Sequence, residues 1–271
     1  MDKHVIYGAQ ILELVGYTVI NRDFLHSHAF DIHRPITLYA PSESKFTIYI
    51  QEACSAITAY IGSRSEITLV YNPSLTNMSQ LSLVLILEQE SIVNSWLFLL
   101  HSTVSLFDLE IVTQDKKSLG SVKLLAVCDK DNHLTIRSRQ EHSVENAQSS
   151  LLVKCIAQHN AFIKYEGSIT IDRVAAGTKA CQRSQMMLIG SDARAIAIPA
   201  LEVLNHEVEC SHGAAVGYIP DDVLWYIQSR GLDPEVAHAL ITQGFSEEIL
   251  ADIPLNDIKQ KLRGLLRKES I

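Results

Sequence analysis

The feature that most constrains the fold is a long series of short β-branched and aliphatic runs between Ile36 and Ile219. The runs recur at intervals of roughly 10 to 20 residues, and several alternate polar with apolar positions, which is the period of a half-buried strand. Between them there is no regular helical pattern of about 10 to 15 residues, so a doubly wound α/β sheet is not expected.

Three all-β architectures fit such a series: a sandwich, a barrel or a β-solenoid. The dipeptides Asn-Gly and Asp-Gly, which favour two-residue hairpins, do not occur in this region. Their absence favours a solenoid, which changes direction at corners rather than at hairpins. A solenoid normally has a repeat period, and no obvious repeat is visible, so composition alone does not choose among the three.

Beyond Pro220 the pattern becomes helical, with acidic residues at helix starts and apolar residues at helical spacing. We expect three or four helices, at about 221–230, 234–244, 246–253 and from about 258 onward. The chain therefore divides into an N-terminal segment (1–34), a β core (35–219) and a helical domain (220–271). In the N-terminal segment, Ala9–Val15 fits a helix or a strand, and His26, His28 and His33 fall in an expected loop.

Charge and cysteine content exclude several classes of protein. The 23 Lys and Arg against 31 Asp and Glu give a net charge of −8, whereas a protein that tracks nucleic-acid phosphates needs a basic surface. The five cysteines form no C-x-x-C pair, which indicates neither a disulfide framework nor a zinc finger, but a reducing compartment. No secretory signal or membrane-spanning run is visible, so we expect a cytoplasmic protein that binds neither nucleic acid nor membrane.

The densest candidate site is Cys210-Ser211-His212-Gly213. On a strand, Cys210 and His212 point to the same face, and both suit iron or iron–sulfur chemistry. The alternative is a buried thiol beside a hydrogen-bonded imidazole at a corner. Weaker candidates are Cys181, His206 and Glu202, although a turn near Asn205 is expected to separate the last two from Cys210.

The chain resembles the SufB/SufD family of iron–sulfur cluster assembly proteins, and SufD most of all. The resemblance runs from about His142 to Ile253 and rests on several segments in a fixed order. These are Tyr165-Glu166-Gly167, Thr178-x-Ala180-x-Gln182, Pro199-x-Leu201-Glu202-Val203, Cys210-Ser211-His212-Gly213-Ala214-Ala215-Val216-Gly217, Tyr226, Ser229-Arg230-Gly231, and Ala237 with Gly244-Phe245.

The resemblance implies a right-handed parallel β-helix followed by a small helical domain. It also implies a non-enzymatic scaffold that pairs with a SufB-like partner, or with a second copy, through the end of the β-helix. A SufC-type ATPase would dock on the helical domain, for which Tyr226, Arg230 and Phe245 are the candidate residues. Cys210 and His212 match the family's cluster-assembly positions, with His212 the position implicated in assembly and a transient iron–sulfur cluster as cargo. The family's complexes are linked to a flavin, which no pattern here locates.

Two departures separate the chain from SufB. SufB-type proteins have Glu-His-Glu where this chain has Cys210-Ser211-His212, and the SufB cysteine before the Leu-Ile-Gly segment falls on Ser184. The chain is also short for the family, so a reduced or divergent SufD-like subunit is expected. Two alternatives are a degenerate paralogue with a purely structural role and a β-solenoid carbohydrate- or acyl-active enzyme, for which paired carboxylates and repeated turn motifs are missing.

Overall fold

A computed structural model describes residues 10–13, 18–20, 35–50, 54–73, 79–100 and 103–268 of the 271. Within these ranges the alternating runs form sixteen strands, followed by three helices. The strands are β1 Gln10–Glu13, β2 Thr18–Ile20, β3 Ile36–Ala40, β4 Lys45–Ile50, β5 Ala56–Ile61, β6 Glu66–Tyr71, β7 Gln80–Leu87, β8 Ile92–Leu100, β9 Leu106–Thr113, β10 Leu119–Cys128, β11 His133–His142, β12 Gln148–Gln158, β13 Phe162–Ile171, β14 Lys179–Ile189, β15 Arg194–Val203 and β16 Glu209–Tyr218. The helices are α1 Asp221–Gln228, α2 Pro234–Leu250 and α3 Asn256–Lys268.

The strands form two parallel sheets, which together make a β-solenoid. The odd-numbered strands follow one another in order in one sheet (the odd sheet), and the even-numbered strands do so in the other (the even sheet). Each sheet therefore gains one strand per turn of the chain, and the expectation of a parallel β-helix with a small C-terminal helical part is confirmed. Of the N-terminal predictions, residues 10–13 are a strand, whereas His26, His28 and His33 lie outside the described residues.

The turns of the solenoid differ in length, between 21 and 32 residues, which explains why no repeat is visible in the sequence. Ile36 pairs with Ile57, 21 residues later, whereas Phe162 pairs with Arg194, 32 residues later. Inward-facing apolar side chains from both sheets fill the interior as one continuous core. A strict alternation of buried and exposed positions, as in β7 and β13, follows from the period of the strand.

One corner of the solenoid repeats a local conformation in place of a glycine turn. Glu43, Arg64, Glu90 and Lys117 all adopt positive φ values, between 54° and 61°. The amide of Arg64 donates to Gln89 O in the next turn, and the amide of Glu90 donates to Lys116 O, so the corners stack through hydrogen bonds.

A serine follows each of these four corner positions, and three of the serines, Ser65, Ser91 and Ser118, are buried. Ser91 Oγ donates to Glu88 O at 2.7 Å, and Ser118 Oγ donates to Asp115 O at 2.9 Å. Each hydroxyl donates a hydrogen bond to the carbonyl oxygen three residues earlier, and this bond stabilises the corner. This recurring Ser, rather than a glycine, is the repeat signal in the sequence.

The helices fold back onto the outer face of the even sheet. Ile249, Leu250 and Leu262 pack with aromatic and aliphatic residues of β4 to β12, among them Trp96 and Phe98. This second apolar layer explains why β8 is buried on both faces from Ser95 to Leu100 instead of alternating. Hydrophobic burial therefore attaches the helical segment along the side of the solenoid.

The prediction that one helix ends at Gly244 and another begins at Ser246 is wrong. Helix α2 continues from Pro234 to Leu250 without a break. Its C-terminal half is the part that buries Ile249 and Leu250 against the even sheet, and this packing outweighs the modest helix cost of Gly244.

Candidate functional site

The C-terminal end of the solenoid is open, and the predicted site lies on it. Strand β15 pairs with β13 and strand β16 pairs with β14, and neither has a second neighbour among the described strands. Large apolar side chains are exposed at this end, and the inward-facing ones, such as Val216 and Tyr218, are exposed because no further described turn covers them. The exposed apolar side chains at this end are Ile196, Ile198, Leu201, Val203, Leu204, Val216 and Tyr218.

Cys210 and His212 lie two residues apart on β16, the outermost even strand. Cys210 is in register with Ala180 and His212 with Gln182, both of which are buried inside the solenoid. The thiol and the imidazole therefore share the inward face of the last strand. Cys210 is half-buried against the interior, whereas His212 is exposed at the open end.

Burial raises the pKa of the Cys210 thiol, and the nearby Cys181 raises it further. The thiol is therefore a weaker nucleophile at neutral pH than a free cysteine, until a cation stabilises its thiolate. Cys181 itself lies on β14, in register with Ser211, and is exposed. A groove of about 720 Å³ reaches both cysteines along the corner side of the even sheet.

The structure does not place Glu202 and His206 beside Cys210 on one strand. Glu202 lies on β15 in the odd sheet, and His206 lies in the turn before β16. Asn205 closes that turn: its Oδ1 accepts the Glu207 amide at 2.8 Å, and its Nδ2 donates to Arg173 O at 2.7 Å. The expected turn near Asn205 is therefore present.

Sequence reasoning missed a polar region inside the solenoid, directly behind the open end. His142 shares hydrogen bonds with Ser149 Oγ (2.7 Å) and Thr113 Oγ1 (3.2 Å). Gln140 Nε2 donates to the same Ser149 Oγ at 2.6 Å. Burial lowers the pKa of His142 to about 4, so this imidazole is neutral at physiological pH.

Gln182 on β14, the strand that pairs with the outermost strand β16, extends the polar region toward the open end. Its Nε2 donates to Ser138 Oγ at 3.1 Å, and Ser138 Oγ shares a 2.8 Å hydrogen bond with Tyr165 Oη. The sequence signal was strand β11, where Ser138, Gln140 and His142 occupy inward positions that are apolar in other strands.

The three predicted docking residues do not form one surface. Tyr226 is well exposed on α1, next to the exposed Trp225, and the Arg230 guanidinium lies 5.1 Å from the Tyr226 ring centroid. Phe245, in contrast, faces the even sheet, where the Lys154 ammonium lies 4.1 Å from its ring centroid.

The ligand set for a metal is incomplete within the part of the chain that the structure describes. No group of three or more His, Cys, Asp or Glu side chains in it could hold a metal ion. Cys210 and His212 supply one soft and one borderline ligand, and a four-coordinate iron would need further ligands from another molecule or from its own sulfide.

These observations define a class of protein: a parallel β-solenoid that presents a thiol and an imidazole at an uncapped end, with helices folded along its side. Comparison with known families agrees, since residues 39–245 match the SufBD core domain of SUF-system iron–sulfur cluster assembly. The chain belongs to this family of iron–sulfur cluster assembly proteins.

Individual relatives match about half of the chain. It is 33% identical over 133 residues to the SufBD family protein slr0076 of Synechocystis, covering 49% of this chain and 28% of that protein. It is 28% identical over 148 residues to the chloroplastic protein ABCI7 of Arabidopsis thaliana, covering 54% and 31%. The SufBD family protein ycf24 of Galdieria sulphuraria is 29% identical over 136 residues, covering 49% and 62%. The chain thus spans only part of these relatives.

Among the helices in the described ranges, none is both long enough and apolar enough to cross a membrane.

Proposed function

We propose that the chain is a SufD-like, non-enzymatic scaffold subunit that helps to build iron–sulfur clusters together with a SufB-like partner and a SufC-type ATPase. The observation that carries the proposal is the position of Cys210 and His212 on the inward face of the outermost strand. There the pair borders an exposed apolar end that a second subunit could cover.

The chemistry of the pair suits a nascent cluster as cargo. The Cys210 thiol, whose pKa is raised by burial, loses its proton when it binds iron, and the His212 ring offers a nitrogen ligand. Because the described part of this chain supplies fewer than three ligands at one place, the remaining ligands would come from the partner and from the cluster's own sulfide. Assembly at the interface would therefore depend on both subunits.

The ATPase would dock on the exposed side of the helices. Trp225 and Tyr226 of α1 and Val236 and Leu240 of α2 are all exposed apolar side chains. We place the docking surface on these residues and Arg230, and leave out Phe245, which packs toward the sheet. Closure of the ATPase dimer would then pull on helices that lie against the solenoid, and so bias the interface at its end.

The reducing compartment expected from the cysteines is compatible with five cysteines that form no disulfide in the described residues, and the cytoplasm remains our proposed location. The chloroplastic relative indicates that members of this family also work in other compartments.

The first prediction tests the two residues directly. In a cell that depends on this protein, Cys210→Ala and His212→Ala should each reduce iron–sulfur enzyme activity about 10-fold or more, because each removes a ligand of the nascent cluster. The measurement is the activity of a cluster-dependent enzyme, normalised to the amount of the variant protein. His159→Ala is the matched control, because this exposed histidine follows β12 at the opposite end of the even strands from Cys210.

Full activity in both variants would remove the pair from the mechanism. If the variants also still co-purify with the ATPase, a purely structural paralogue becomes the better description. Cys181→Ala in the same assay tests whether the second thiol of the groove takes part.

A further inference from the structure

Gln182 lies directly beneath His212 inside the solenoid. The two residues are register partners on the neighbouring strands β14 and β16. Partner residues of a parallel ladder stand about 4.8 Å apart and point to the same face of the sheet. The Gln182 side chain is almost fully buried, with 1% of its surface exposed, and His212 is the next residue in its column at the open end.

The amide of Gln182 is held in one orientation. Its Nε2 donates to Ser138 Oγ at 3.1 Å, and Ser138 in turn shares a hydrogen bond with Tyr165 Oη at 2.8 Å. Gly167 provides the space, since a Cβ there would lie 2.6 Å from Gln182 Nε2 and 2.7 Å from its Oε1. Both amide atoms therefore lie beside Gly167 of the odd sheet, but only the nitrogen is bonded there, to Ser138, and the oxygen remains for another partner.

That oxygen has no hydrogen-bond partner among the described residues, although it is buried. A buried acceptor without a donor is costly, and native interiors rarely leave one unused. The ring of His212 is the titratable donor that the register places next to it, and a neutral imidazole carries one N–H to give.

We propose that Gln182 is the positioning residue of His212: when the exposed His212 ring turns into the open end of the solenoid, Gln182 Oε1 accepts its N–H, which leaves the lone pair of the other ring nitrogen available to iron. This inference rests on the proposed function for its use of iron. Histidines that bind metals almost always donate their second ring nitrogen to such an oxygen, which fixes the tautomer and the ring orientation. The chain Tyr165–Ser138–Gln182 would then link the polar interior to the cluster-assembly end.

The test is the tautomer of His212 in the full chain, without metal. Long-range ¹H–¹⁵N NMR of the ring nitrogens at about pH 8.5, where histidines are neutral, reports which nitrogen carries the proton. The His212 signals are those that disappear in His212→Ala. In Gln182→Met, which keeps the length of the side chain but removes the acceptor, we expect the tautomer ratio to change about threefold or more.

Two controls separate positioning from general damage. Gln182→Glu keeps an acceptor oxygen and should preserve the wild-type ratio. Ser184→Ala removes another buried, unpartnered oxygen on the same strand, in register with Ala214 rather than His212, and should leave the ratio unchanged. If Gln182→Met does not fold, Gln182→Leu gives the same comparison, because a leucine side chain also carries no acceptor. An identical ratio in wild type and in the acceptor-free variants would overturn the proposal.

The outcome also separates this proposal from the proposed function. A tautomer that depends on Gln182, together with full cluster assembly by His212→Ala, would support the positioning and refute the role of His212. Loss of cluster assembly in His212→Ala, together with an unchanged tautomer ratio in Gln182→Met, would support the role of His212 and refute its positioning by Gln182. If both proposals hold, Gln182→Met should reduce assembly about 10-fold, and Ser184→Ala should not.

Discussion

At the scale of single residues, this solenoid differs from a plain apolar stack because it buries a group of polar side chains near its open end. His142 is the one whose charge matters most for folding. Its two ring nitrogens are bonded to Thr113 and Ser149, both neutral, so there is no buried acid in these contacts to stabilise an imidazolium. Protonation of His142 is therefore opposed by the fold.

The second prediction concerns pH. Burial lowers the pKa of His142 from 6.5 to about 4. The unfolded chain therefore binds this proton first, and the stabilisation that is complete above pH 6.5 is lost as the pH falls toward 4. The difference corresponds to about 3 kcal/mol. Urea unfolding at about pH 7.5 and pH 4.5 should show a loss of about 2 to 3 kcal/mol that His142→Gln largely removes.

His133→Gln, at an exposed histidine on the same strand, should leave that pH dependence as it is in the wild type. An equal pH dependence in wild type and His142→Gln would mean that other groups cause the acid sensitivity.

At the scale of elements, a salt bridge under α2 fixes the helices to the solenoid. The Lys154 side chain on β12 is only 4% exposed, and its Nζ donates to Glu248 Oε2 at 2.5 Å. Glu248 also contacts Arg183 of β14, so one acid on α2 spans two strands. The Lys154 hydrogen bond, the largest cause, holds the pKa of Glu248 below its usual range.

The strands were predictable from the sequence, but the corners and the helix docking were not. Alternation alone identifies a strand such as β13, whereas Glu43 and Arg64 give no sign in the sequence of their positive φ values. The polar interior was not predicted because polar side chains such as Ser138 and Gln140 are ordinarily expected on the exposed face of a strand. The docking of the helices is a tertiary effect, and its sequence signals are the unbroken apolar runs Trp96–Leu100 and Leu124–Cys128.

At the candidate site, the sequence predicts which residues of one strand share a face, but it does not predict which residues of neighbouring strands pair. Cys210 and His212 share a face because two-residue spacing on a strand requires it. The position of Gln182 beneath His212 depends on the register between β14 and β16, which the varying turn length conceals. The separation of Glu202 from Cys210 was foreseen because Asn205 favours a turn.

The third prediction concerns the ion pair between Lys154 and Glu248. Glu248→Gln leaves a buried ammonium without its counter-charge, whereas Lys154→Met keeps the stem and returns a partly exposed acid to water and Arg183. Glu248→Gln should therefore lower the free energy of unfolding by about 2 kcal/mol, and Lys154→Met by less. Urea unfolding measures both, and hydrogen exchange in α2 should rise most in Glu248→Gln.

Glu235→Gln, on the exposed first turn of α2, is the matched control for losing a carboxylate. Equal effects of the two substitutions, or a larger effect of Lys154→Met, would contradict the idea that an unpaired Lys154 is the costly state.

At the scale of the whole molecule, the described residues expose two apolar surfaces that lie on different parts of the fold. One is the open end, where Val216 and Tyr218 continue the inner columns of Met186 and Leu188 without a further strand above them. The other is the exposed side of α1 and α2. A chain that uses both at once can connect a partner at the end of the solenoid to one on the helices.

The last prediction separates the two surfaces with a matched pair of substitutions. Val216 and Val223 are exposed to nearly the same degree, 44% and 40%, but Val216 lies at the open end and Val223 on α1. Val216→Lys should weaken association with the SufB-like partner or a second copy about tenfold and leave ATPase binding unchanged, because a charge opposes burial of that end only. Val223→Lys should do the opposite.

Both variants should fold normally, since a substitution at an exposed site changes stability by about 0.5 kcal/mol or less. Sedimentation measures the association at the open end of the solenoid. Co-purification measures the association with the ATPase. If Val216→Lys releases the ATPase while the end-to-end association survives, the two surfaces have been assigned to the wrong partners. If neither variant changes either association, neither uncovered surface is an interface, and the apolar residues at the open end need another explanation.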